Sequence, residues 1–217
     1  MKLKAHDMNL VNIREVTPNV FLCEFPTQYL LTSTFIRFQE YYESPEFKGK
    51  FFTMEEYEDY YAEEFGNFDY YQKVGGCNFT SSCVDAWMEQ DIQLLLREKE
   101  IEFIFKFKKD TGKTFKEKFY IIGIVYNDET LSKNIKHEVA HGLFNTNQTY
   151  RENVKEILEN HKEADLSIIE EYLELKNYHK DAFEDETQAY LMEKIEYLID
   201  RFHNNARLSS IKDWRKM

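Results

Sequence analysis

The sequence predicts an α+β protein in which a small sheet packs on one helix and most of the remaining chain is helical. Three observations predict it. Ile101, Phe103, Phe105 and Phe107 alternate with Glu102, Lys106 and Lys108, the period of a half-buried strand, although Ile104 breaks the alternation. Phe119 to Tyr126 is a nearly unbroken apolar run of strand length. From residue 128 onward apolar positions recur at helical spacing, and the whole chain has only 7 Gly and 3 Pro to interrupt helices.

Taken in order, residues 1–19 are mixed and end at Pro18, and Val20–Phe25 reads as a short buried strand before Pro26. Residues 27–43 read as a helix, stopped at Ser44-Pro45. Thr53 and Glu56 have the spacing of a capping box, which starts a helix at Met54 that runs to about Phe65 and ends at Gly66. Residues 67–82 read as loop, followed by a helix from about Val84 to Lys99. Asp110-Thr111-Gly112-Lys113 is the expected turn of a strand hairpin over about 101–126, and Gly123 marks a close approach of another backbone. Beyond it, helices are expected from Asp128 or Thr130 to about Phe144, then over 150–161, 166–176 and 181–203, with a short last turn at Ser209 or Ser210.

The length suits a single domain over 1–217 with two sub-parts. Residues 1–100 form an aromatic-rich N-terminal lobe, and 101–217 carry the hairpin and a mostly helical half. A net charge of −12 argues against nucleic acid or an anionic membrane as partner. The basic patch from Lys106 to Lys118 reads as the solvated face of the hairpin. Three cysteines without a C-x-x-C pair argue against a disulfide framework or a cysteine zinc site. The start of the chain has no apolar h-region, so a cytoplasmic location is expected.

The most informative stretch is His137-Glu138-Val139-Ala140-His141. On a helix this H-E-x-x-H spacing sets two imidazoles one turn apart on one face, where both can bind one Zn²⁺ ion. The Glu between them then stands next to the open coordination position. Ile135, Val139 and Leu143 form a separate apolar stripe expected to anchor the helix.

These residues resemble the zincin superfamily of zinc metallopeptidases over about residues 119–195. The metzincin continuation fails, because Phe144 and Asn147 stand where it has Gly and His. The gluzincin-like branch takes its third ligand from a Glu on a later helix, and the resemblance points to the helix containing Phe183–Leu191. Glu184, Asp185, Glu186 and Glu193 compete there. Ala182 and Ala189 flank Glu186 with small residues, which favours it, with Glu193 and Glu184 as alternatives. The family often places a further Asp near the ligand Glu; Tyr190 occupies the i+4 position here and Asp185 precedes Glu186, a departure that leaves that partner unassigned.

The implied activity is peptide-bond hydrolysis on a peptide or protein substrate. His137, His141 and Glu186 hold one Zn²⁺ ion, which lowers the pKa of a bound water toward ~7. Glu138 is the expected general base, and His179 and Tyr190 are the candidate groups to stabilise the oxyanion. A zinc-dependent hydrolase of a non-peptide amide, a zinc-binding interaction protein that does not cleave and a metal-free helical module are the competing readings. Oligomeric state is not legible.

Overall fold

The computed structural model describes residues 7–90, 96–126, 131–160, 173–174 and 180–201. The protein is α+β, with a four-stranded mixed sheet among the described residues. The chain divides into two compact units, Met1–Asp128 and Glu129–Met217.

The first unit holds the sheet. Strands β1 (Asn12–Thr17), β2 (Val20–Phe25), β3 (Gly76–Thr80) and β4 (Tyr120–Val125) lie in the order β1-β2-β4-β3. β1 and β2 form a tight antiparallel hairpin across Pro18-Asn19. Proline presets the first turn position, and Asn19 takes the left-handed conformation that asparagine tolerates (φ 63°). β2 then pairs parallel to β4, and β3 pairs antiparallel to the other edge of β4. The central strands are buried, as their apolar runs require.

The helices of this unit are α1 (Gln28–Glu43), α2 (Met54–Phe65), α3 (Tyr70–Lys73), α4 (Ser81–Glu89) and α5 (Glu98–Thr111). The capping box of α2 forms as read: Glu56 N–H donates to Thr53 Oγ1 at 3.2 Å, and Thr53 N–H donates to Glu56 Oε2 at 2.7 Å. Gly66 ends that helix in the left-handed conformation. Helix α1 covers the sheet. Cys23, Gly123 and Cys77 share one row across β2, β4 and β3, and the middle position must lack a side chain. A Cβ on Gly123 would stand 2.6 Å from Leu31 Cδ1 and 2.7 Å from Phe35 Cε2 of α1. The close approach expected at Gly123 is therefore made by two side chains, not by a backbone.

The hairpin expected over 101–126 does not form. Residues 98–111 are α5, and the strand before β4 is absent. Phe103, Ile104 and Phe107 are its buried apolar residues, at i, i+1 and i+4, while Phe105 is 68% exposed. Ile104, the position that broke the alternation, belongs to the buried face of the helix. Acidic Glu98 and Glu100 in the first turn and Lys108 and Lys109 in the last suit the helix dipole. Gly112, expected in a hairpin turn, is the left-handed C-cap of this helix. Glu100 is buried and paired with Arg37 of α1 and with Arg97, and Arg37 lies 4.3 Å from the Trp87 ring centre. Two further departures are local: β1 and β3 lie in stretches that read as mixed and loop-like.

The second unit carries α6 (Leu131–Thr146), α7 (Gln148–Asn160) and α8 (Phe183–Arg201). Val154, Leu173 and Leu191 form its buried centre, with Phe144, Tyr150, Phe183 and Tyr190 packed against them. Arg151 of α7 donates to the carbonyls of Phe144 and Asn145, which end α6. The expected apolar anchor of α6 is corrected: Ile135, Val139 and Leu143 are only half-buried, whereas Ala140 and His141 are buried. The expected caps Asp128 and Thr130, most of the helix over 166–176 and the last turn at Ser209 or Ser210 lie outside the described residues.

Candidate metal centre

All the described residues of the candidate centre belong to the second unit. Helix α6 presents His137 and His141 one turn apart, and their Nε2 atoms lie 3.0 Å from each other. Helix α8 presents Glu186 in its first turn. Glu186 Oε1 is 3.7 Å from His141 Nε2, and Oε2 is 3.9 Å from His137 Nε2. One donor atom from each of the three residues lies within 4.8 Å of the others.

This donor set suits zinc. A tetrahedral ion with bonds of about 2.0–2.1 Å holds its donors about 3.3 Å apart. The two Nε2 atoms lie near that spacing at 3.0 Å, whereas the 3.7 and 3.9 Å approaches of Glu186 are made by its two different oxygens, so the carboxylate must turn and move inward for one oxygen to complete the site. Of the two small residues expected to flank Glu186, Ala189 is fully buried and Ala182 is half-buried; Ala140 on α6 is buried as well. Glu186 Oε2 is a buried atom with no hydrogen-bond donor among the described residues. A buried carboxylate oxygen in that condition costs free energy unless a cation or a proton compensates it.

The electrostatics agree with a site that holds charge. Burial pushes the Glu186 carboxyl up to about 7, the His141 charge opposes this, and Asp185 and Glu138 add to it. For His141, burial pulls the imidazole down, but the Asp185 hydrogen bond and the charges of Asp185, Glu186 and Glu138 outweigh it and push it up to about 9. With both nitrogens protonated, His141 donates to Asp185 from Nδ1 (2.8 Å) and toward His137 Nε2 from its own Nε2. The 3.0 Å separation of the two Nε2 atoms is a hydrogen-bond distance, and an ion bound by both imidazoles would have to replace that contact. The charge of Glu138, one residue after His137 on α6, acts on both His141 and Glu186.

The other sequence candidates divide clearly. Glu184 is exposed and paired with Lys155 at 3.1 Å, outside the cluster. Asp185 faces the opposite nitrogen of His141 from the one that Glu186 approaches. The Tyr190 ring packs edge-on against His137, with ring centres 4.9 Å apart. Tyr150 donates its hydroxyl proton to Gln188 at 2.8 Å. Glu193 lies in α8, but its side chain falls outside the described residues, as does the whole of His179. The hydrogen bonds of Asp185 with His141, Asn145 and Gln188 were not read from sequence; the one available signal was that an acidic residue, Asp185, precedes Glu186.

No known protein family, characterised protein or solved structure matches this chain. The reading of the centre therefore rests on its own geometry. Among the described residues, no helix is long and apolar enough to cross a membrane.

Proposed function

We propose that this protein is a zinc-dependent hydrolase of the zincin type that cleaves peptide bonds in a peptide or protein substrate. The observation that carries the reading is the convergence of His137, His141 and Glu186 from two helices, with Glu138 beside them. A zinc ion held there supplies a Lewis acid and acidifies a water molecule. His137 and His141 hold the ion through Nε2, and Glu186 supplies the negative ligand. Glu138 takes a proton from the attacking water and passes it to the leaving amine. Tyr190, whose ring packs against His137, is one candidate from sequence to help with the developing oxyanion. His179 is the second candidate for that role from sequence.

The test uses the full chain loaded with zinc and a library of denatured proteins, read by mass spectrometry for new termini. Cleavage is expected, with loss on chelation. Glu138→Gln should keep zinc bound and slow cleavage by about 10²–10⁴-fold, the range for a lost general base. An unchanged rate in that variant, or a purified chain that binds no zinc, overturns the proposal.

A further inference from the structure

Asp185 and Glu186 are neighbours on α8, and side chains of adjacent helical residues diverge by about 100° around the axis. They use that divergence on one imidazole. Glu186 approaches Nε2 of His141, and Asp185 Oδ1 lies 2.8 Å from Nδ1 of the same ring. The remaining contacts of Asp185 keep it there. Gln188 Nε2 donates to Oδ1 at 3.0 Å, and Asn145 Nδ2 lies 3.4 Å from Oδ2. Asn145 Nδ2 also donates to the His141 carbonyl at 3.0 Å, which ties the carboxylate to the turn of α6 that carries the ring. Gln188 is completely buried, and its Oε1 accepts from Tyr150 of α7. Three helices therefore fix one carboxylate.

We propose that Asp185 is the positioning residue of the metal centre: it accepts the Nδ1 proton of His141, fixes the ring plane and leaves the Nε2 lone pair for the ion. This rests on the metal reading above and goes beyond it, because nothing in that reading requires a partner for Nδ1. A neutral imidazole has two tautomers, and only the one protonated at Nδ1 can bind through Nε2. A carboxylate on Nδ1 selects that tautomer and makes Nε2 a stronger donor. Asn145, Gln188 and Tyr150 act through Asp185, and none of them is among the three donors.

Zinc affinity is measured on the full chain by competition with a chromophoric chelator. The unmodified protein, Asp185→Asn and Asp185→Glu are compared, and the thermal midpoint of each zinc-free protein serves as the folding control. Asp185→Asn should weaken zinc binding about 10–100-fold, the range for loss of such a partner, and Asp185→Glu should restore part of the loss. Nitrogen NMR of the histidine rings in the unmodified, zinc-loaded chain should show His141 protonated at Nδ1 and metal-bound at Nε2. That measurement decides the matter by itself if Asp185→Asn does not fold. Unaltered zinc affinity in folded Asp185→Asn, or metal on Nδ1, overturns the positioning role and leaves the metal centre standing. An unmodified chain that binds no zinc overturns both.

Discussion

Replacing Glu186 with Gln should raise stability in the absence of zinc and cut the stabilisation that zinc gives. The folded carboxyl has its pKa raised from 4.5 to about 7, chiefly by burial. A group raised in this way contributes stability below pH 4.5, and the contribution is lost as pH rises through about 7. At pH 8 the ionised, 15% exposed side chain therefore opposes folding by up to about 3 kcal/mol. Gln is uncharged and nearly the same size, so zinc-free Glu186→Gln should be more stable than the parent at pH 8. The gain stays below that upper value because Glu186 also helps to hold His141 protonated. Near pH 4 the difference should vanish. Zinc reverses the ranking of gains. At free zinc 100 times the dissociation constant, the parent gains about 2.7 kcal/mol, whereas a variant binding 100-fold more weakly gains only about 0.4 kcal/mol. Urea unfolding at pH 8, with chelator and with zinc, measures both arms. A variant that keeps the parent's zinc-induced gain refutes the assignment of Glu186 as a ligand, and one less stable than the parent without zinc refutes the cost ascribed to its buried charge.

Two further outcomes follow from the same structure. Zinc must displace the His141 proton held up to about 9, so apparent affinity should fall about tenfold per pH unit between pH 9 and 7 and more steeply below 7; chelator competition at pH 7 and 8 checks this, and a flat response contradicts it. Gly123→Ala puts a methyl group 2.6 Å from Leu31 Cδ1 and should destabilise the protein by about 1–3 kcal/mol, seen as a lower urea midpoint; unaltered stability would mean that α1 moves freely off the sheet.

What could be read from sequence was what local chemistry decides. Thr53 and Glu56 sit three residues apart and cap α2 by themselves, and the H-E-x-x-H spacing fixes the relation of His137 to His141 within one helical turn. Positions 101–107 misled because an alternating pattern and a helical face share Phe103 and Phe107; only burial against Arg37 and the sheet separates the two. β1 and β3 are edge strands, and what makes them strands is pairing with residues elsewhere in the chain. The sequence singled out Glu186 by its small neighbours, and it is the carboxylate of α8 that lies near both imidazoles among the described residues. Asp185 was not recognised as the partner of His141, because that contact spans 44 residues and depends on how α6 and α8 cross.

The parallel pairing of β2 with β4 bears on how the chain is made. Val20 is placed against Tyr120, so the second strand to leave the ribosome finds its inner neighbour only after a hundred more residues are added. At about 5–20 residues per second, that delay is roughly 5–20 s. During it the hairpin of the first two strands offers an apolar open edge. Nascent chains stalled before Phe119 should be the species that chaperones retain and that aggregates when they are absent. Release should come abruptly once Tyr120–Val125 has emerged.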